Sequence, residues 1–222
     1  MLCSPAKGAD AAASAAMVMK APAQLLFLPG ASGCTAVWQP VADRLRHRAD
    51  RLHLGWPGFG ETPPDPAVQG FEDLLGLVLN RLDRPTAVVA QSMGGVLALQ
   101  AALLRPERIT HLVLAVTSGG LPMAEHSAAD WRPAFRSAHP RLPPWFDNAA
   151  VDLSAQLPAV EIPALLLWGD ADPISPVAVG ERLAALLPAS HLVVLAGGSH
   201  DLVQEKPATI APLIDRHLGI SA

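Results

Sequence analysis

About six times between Gln24 and Leu218 this chain repeats one pattern. A short apolar run is closed by Gly, Pro or a charged residue, and a longer stretch follows with apolar residues at three-and-four spacing. The longer stretches carry Arg, Glu or Asp opposite their apolar stripe, which is helical amphipathicity; the short runs suit strands. Strands alternating with helices read as a parallel sheet, because a parallel neighbour can be reached only through a crossover of a dozen or more residues. Strands are expected at 24–28, 51–54, 86–90, 110–116, 164–168 and 191–195, and helices at 36–46, 71–82, 96–104, 177–187 and 208–218. The strand runs are continuously Leu, Val, Ile or Ala rather than alternating, as in strands buried on both faces. The expected fold class is therefore α/β, a mostly parallel sheet with helices on both faces.

The alternation stops once, over residues 117–161. Pro122, Pro133, Pro140, Pro143, Pro144 and Pro158 forbid one long helix there. An insertion of that size between two strands of a regular sheet is more often functional than structural, and it is read as a cap. Residues 21–222 are expected to form a single domain carrying this cap insertion. Residues 1–19 are alanine-rich but broken by Pro5, Lys7 and Asp10, which excludes the continuous apolar core of a signal peptide. Residues 1–20 are expected to be a poorly ordered leader, or to keep a remnant strand over 15–20.

Composition limits the partners. With 50% hydrophobic and 16% charged residues the chain has ample material for a core. A net charge of -4, with a pI near 6.0, leaves no basic footprint for nucleic acid. Cys3 and Cys34 are too few for a disulfide framework or a zinc site, and they suit a reducing compartment. Every apolar run is broken before it reaches the length of a membrane span. A cytoplasmic location is expected.

Chemistry enters at Ser92. It stands in Ala90-Gln91-Ser92-Met93-Gly94-Gly95, between an expected strand and an expected helix. A serine at a strand-to-helix reversal needs small residues two positions either side, and the turn lifts its hydroxyl above the sheet edge. A neutral hydroxyl needs a base within hydrogen-bond reach, and that base needs an acceptor to fix its tautomer. Of eight histidines, His47 and His217 fall in expected helices, His53, His111 and His191 at or in strands, and His126 and His139 in the insertion. His200 alone sits in a glycine-rich loop just past a strand, on the sheet edge where functional loops of parallel sheets gather. Two aspartates follow the strand at 164–168. Asp172 is the preferred acid and Asp170 the reserve, although a turn role before Pro173 also suits Asp172.

Ser92, Asp172 and His200, each directly after its own strand, make the chain resemble the α/β-hydrolase fold superfamily, whose triad runs serine, acid, histidine. The resemblance extends from about Gln24 to Leu218. It includes Pro29-Gly30 with Trp38 downstream, the Pro57-Gly58-Phe59-Gly60 loop, Gly169 to Pro176 around the acid, and Gly198-Ser199-His200. It implies an oxyanion hole from the backbone N–H groups of Ala31 and Met93. Small Ala31 with Ser32 and Gly33 leaves room for an acyl group, and Gly30 and Ser32 are expected to line the substrate pocket.

The chain departs from the family pattern at three places. Pro29-Gly30 replaces the usual His-Gly, Gly55-Trp56 replaces the acid or small polar residue before the Pro-Gly loop, and little chain precedes Gln24 for the family's N-terminal hairpin. Trp131, Phe135, Trp145 and Phe146 in the insertion, with Trp56 and Phe59, either line an apolar substrate pocket or merely anchor loops to the sheet.

A serine rather than aspartate nucleophile points to acyl chemistry through an acyl-enzyme. The resemblance thus implies a hydrolase of a carboxylic ester or thioester with a small-molecule or acyl-chain substrate. A carbon–carbon bond hydrolase with the same triad and a non-catalytic ligand-binding protein of the same fold are the alternatives. No dinucleotide, P-loop or metal-ligand spacing is present, so no cofactor and no metal are expected.

Overall fold

The computed structural model describes residues 21–148 and 150–220; the expectations for residues 1–20 lie outside the described residues. Six strands form one sheet: β1 (Gln24–Leu28), β2 (Asp50–His53), β3 (Thr86–Gln91), β4 (Ile109–Ala115), β5 (Ala164–Gly169) and β6 (Ser190–Leu195). The order is β2-β1-β3-β4-β5-β6 and every pairing is parallel. Between them lie α1 (Gln39–Ala42), α2 (Phe71–Leu79), α3 (Met93–Leu104), α4 (Arg132–Ala138), α5 (Val177–Leu186), α6 (Leu202–Glu205) and α7 (Pro207–His217).

The period of two along each strand divides the interior into two cores. Leu26, Leu28, Val88, Ala90, Leu112, Leu114, Leu166 and Trp168 face α2, α3 and α5. Their neighbours Leu25, Phe27, Ala87, Val89, Val113, Ala115, Leu165 and Leu167 face α1, α6 and α7. The four central strands are therefore buried on both faces, with polar residues only toward their ends: Gln24 in β1, Thr86 and Gln91 in β3, and Thr110 and His111 in β4. The edge strands differ: β2 is partly exposed along its length and β6 buries fully only Leu195, with Val194 43% exposed. An edge strand has only one neighbour, and here the helices do not cover it fully.

Two helix expectations need correction. The helix expected at 36–46 is reduced to α1, because the backbone N–H groups of Arg46 and His47 turn away to the buried carboxylate of Asp215, at 3.0–3.1 Å. His47 accordingly lies in a loop. Conversely, α3 begins three residues earlier than its expected start at 96, taking in Gly94 and Gly95 despite their poor helix propensity. Packing overrides propensity: a Cβ on Gly94 would stand 2.6 Å from the Pro29 carbonyl oxygen, and one on Gly95 2.5 Å from the Thr117 hydroxyl.

Strand order reverses between β1 and β3, since the chain passes outward to β2 from one and toward β6 from the other. Loops leaving the carboxyl ends of these two strands diverge and open a crevice, the usual ligand position in such sheets. The 117–161 insertion overlies that end. It consists of α4 and short 3-10 turns at Met123–His126, Pro144–Asn148 and Leu157–Ala159. Arg136 ties α4 to the following turn by donating to the carbonyls of Leu142 and Pro143, at 2.7 and 3.0 Å.

Candidate active site

Ser92 leaves β3 with φ 50° and ψ -120°, a conformation that side-chain-bearing residues rarely adopt. Several contacts hold it there. Its N–H donates to the Ala115 carbonyl on β4 at 2.9 Å, and its own carbonyl accepts the Thr117 hydroxyl at 2.6 Å. Small neighbours are required: a Cβ on Gly30 would lie 3.1 Å from the Ser92 Cβ. Val116, at the end of β4, also takes a positive φ of 42°, a genuine outlier for a β-branched residue. Its N–H is secured by the Leu167 carbonyl at 3.0 Å.

His200 Nε2 lies 3.0 Å from Ser92 Oγ, and its Nδ1 lies 2.8 Å from Asp172 Oδ2. The Asp172 side chain is fully buried, while that of His200 is 21% exposed. Asp172 Oδ1 accepts the N–H groups of Ile174 and Ser175 at 2.8 and 3.1 Å, so one carboxylate oxygen orients the residue and the other faces the imidazole. Asp170 has different work. Its Oδ1 accepts the Gly197 N–H at 2.6 Å, joining the β5 loop to the β6 loop. The same loops meet at Gly169 and Gly198, where any side chain on Gly169 would collide with the Gly198 backbone.

Further ties hold the histidine loop. Gln91 Nε2 donates to the His200 carbonyl at 2.9 Å, and Glu205 accepts the Ser199 hydroxyl and N–H at 2.6 and 3.0 Å. The Ser199 hydroxyl bond holds the Glu205 carboxyl below its ordinary pKa. Gln91, Thr117, Ser175 and Glu205 carry no motif signal in the sequence, because most of their partners are distant along the chain.

Ala31 is buried in the loop after β1, and Met93 is the first residue of α3, where N–H groups lie outside the intrahelical ladder. The β1 loop lacks the family's histidine, and Trp56 supplies a different tie. Its indole N–H is shared between the carbonyls of Pro29 and Gly30, at 3.2 and 3.1 Å. Trp38 similarly donates to the Leu28 carbonyl at 3.0 Å. Gly55 stands where the family has an acid or small polar residue because Thr62 and Thr35 fill the space a side chain would need.

A cavity of about 840 Å³ opens over Ser92, Met93 and His200. Of the aromatic residues expected near a pocket, Trp131 and Phe146 line it; Met123, Leu121, Val96 and Val116 complete much of its apolar wall. The other expected lining residues sit elsewhere. Trp56 and Phe59 are buried beneath the loops, Phe59 against Trp145 and Phe146. Phe135 packs on Trp131 and Phe146, and Trp145 lines a second cavity. Gly30 supports Ser92 from below, and Ser32 is exposed on its loop. No three His, Cys, Asp or Glu among the described residues converge as metal ligands. No helix among them is long and apolar enough to cross a membrane.

Fold and site together define a class. The family model described as the alpha/beta hydrolase fold matches residues 24–154, more than half of the chain, and the chain belongs to that family. A second model, described as a TAP-like protein, matches residues 143–219. The chain is 26% identical over 224 residues to the hydrolase YugF of Bacillus subtilis (strain 168), covering 78% of this chain and 82% of that one. It is 27% identical over 246 residues to a pimeloyl-[acyl-carrier protein] methyl ester esterase of Aeromonas salmonicida (strain A449), covering 88% and 95%. Among solved structures, a hydrolase from Pseudomonas aeruginosa PA01 superposes with a TM-score of 0.71 at 23% identity, covering 89% of this chain and 90% of that one.

Proposed function

We propose that this carboxylic ester hydrolase works through Ser92 as nucleophile, His200 as general base and acid, and Asp172 as the group that orients His200. The continuous line from Asp172 Oδ2 through His200 to Ser92 Oγ, with contacts of 2.8 and 3.0 Å, carries the reading. His200 takes the serine proton as Oγ attacks the ester carbonyl. The backbone N–H groups of Ala31 and Met93 receive the oxyanion, each contributing about 3–4 kcal/mol to the transition state. The imidazolium, stabilised by Asp172, then protonates the departing alkoxide, and water activated by the same imidazole releases the acid.

The apolar wall of the cavity supports an acyl chain as the group retained on the enzyme, with the 117–161 insertion as its cap. Esters rank ahead of thioesters because similar proteins include methyl ester esterases acting on a carrier-bound acyl group. A chain with only two cysteines supports a cytoplasmic setting. An organophosphonate should add its mass to the peptide bearing Ser92 and abolish turnover of nitrophenyl esters. Modification at Ser32 or Ser199 instead would overturn the assignment.

A further inference from the structure

The two backbone N–H groups proposed to receive the oxyanion belong to the peptide units Gly30–Ala31 and Ser92–Met93. A peptide unit is planar and trans, so its N–H points opposite to its C=O, and whatever holds the carbonyl aims the donor. Both carbonyls are held in the same way. The Gly30 carbonyl accepts the Gly33 N–H and the Trp56 indole N–H, each at 3.1 Å. The Ser92 carbonyl accepts the Gly95 N–H at 2.9 Å and the Thr117 hydroxyl at 2.6 Å. Each thus takes one bond from within its own turn and one from a side chain of another element. The first moves with the turn; the second ties the peptide to the rest of the fold.

Thr117 is the first residue of the insertion and is fully buried. Its neighbours Val116 and Ser118 line the cavity, and Thr117 does not. The direction of its hydroxyl proton is fixed. The oxygen accepts the Gly119 N–H at 3.0 Å, so the proton points at the Ser92 carbonyl, which can only accept. Their 2.6 Å contact lies at the short end of the range for a hydroxyl donor. Such donation polarises the peptide unit and strengthens the N–H at its other end. Space for the contact is made at Gly95, where any Cβ would collide with the Thr117 side chain.

Resting on the ester-hydrolase reading and its oxyanion hole, we propose that Thr117 is a positioning residue for that hole: its hydroxyl aims and polarises the Met93 N–H, as Trp56 aims that of Ala31. It acts as negative charge develops on the ester carbonyl oxygen, not as the ester binds.

The test reads kinetics on nitrophenyl butanoate beside the binding of two inhibitors, an alkyl trifluoromethyl ketone and the methyl ketone of the same chain. Ser92 Oγ adds to the fluorinated carbonyl while His200 takes the serine proton, which leaves an oxyanion in the hole. The methyl ketone binds without that addition and is the ground-state control. Thr117→Val keeps the shape and removes the donor. Its kcat should fall about tenfold with KM nearly unchanged, and the trifluoromethyl ketone should weaken by the same factor while the methyl ketone holds. Thr117→Ser keeps the hydroxyl and should restore most of both. Thr117→Cys, with a weak S–H donor, should fall between them, and it carries the test if circular dichroism shows Thr117→Val unfolded. The acid limb of the pH profile should not move, because the acid loop meets Thr117 through its backbone carbonyl, which accepts the Ser175 hydroxyl at 3.3 Å and survives every substitution.

A wild-type rate in Thr117→Val or Thr117→Cys, equal weakening of both ketones, a displaced acid limb, or a loss in Thr117→Ser as deep as in the other variants would overturn the role of Thr117 and leave ester hydrolysis standing. A wild type that turns over esters yet binds the trifluoromethyl ketone no more tightly than the methyl ketone would remove the proposed oxyanion hole. No turnover of any ester would remove the catalytic reading itself, and the role of Thr117 with it.

Discussion

Ser92 holds a backbone conformation suited to glycine while carrying the hydroxyl proposed as the nucleophile. Strain of this kind costs on the order of 1–3 kcal/mol and is sustained by surrounding contacts. Ser92→Ala should lower ester turnover by about 10⁴-fold with the fold intact, measured by kinetics beside circular dichroism. Ser92→Gly should be equally inactive yet more stable than Ser92→Ala by about 1 kcal/mol in chemical denaturation, since glycine relaxes the strain. The two aspartates separate just as sharply. Asp172→Asn should cost about 10⁴-fold in kcat, because an amide turned toward Nδ1 holds the wrong imidazole tautomer. Asp170→Asn should cost little, as an amide oxygen still accepts the Gly197 N–H. The side chains with motif signatures were legible in the sequence; the preference for Asp172 over Asp170 rested there on family pattern, and here rests on which carboxylate faces His200.

At the level of elements, the β1 loop is fixed by a residue from another loop. Trp56 comes from the segment after β2, and its indole N–H reaches two carbonyls directly before Ala31. Trp56→Phe keeps a ring but removes the donor, leaving Pro29 and Gly30 without it. The expected result is a kcat lowered about tenfold with KM nearly unchanged, because the loss falls on the position of Ala31, the proposed oxyanion donor, rather than on ground-state binding. A matching rise in KM would assign Trp56 to the pocket instead. The sequence shows a Trp before Pro57 and a missing histidine after β1, yet nothing local connects them. Helix limits were hidden for a similar reason: α1 stops where Asp215 of α7 captures two backbone donors. That contact joins residues 169 and 168 positions apart.

Across the whole molecule, the side of the sheet away from the cleft holds a set of histidines with depressed pKa values. Burial, reinforced by His217, pushes His111 down to about 4 from an ordinary 6.5. His217 and His47 are lowered chiefly by burial as well. In such a case the unfolded chain binds protons below about pH 6.5 that the native protein refuses until about pH 4. Stability is thus insensitive to His111 above that window and falls as pH drops through it. Thermal melts from pH 7 to 4 should show a shallower acid loss for His111→Gln than for the wild type; parallel slopes would contradict it. The chain's own pattern determined the class of fold, the number of strands and their succession along the chain, and the candidates proposed for the triad, because periodicity, glycine placement and strand-end position are properties of short segments. Only tertiary structure decided which aromatic residues line the cavity and which are buried under it, how Trp56 replaces the missing histidine, and that the Thr117 hydroxyl reaches the Ser92 carbonyl. Those outcomes depend on distance between segments far apart in the chain, which close packing sets and no local pattern encodes.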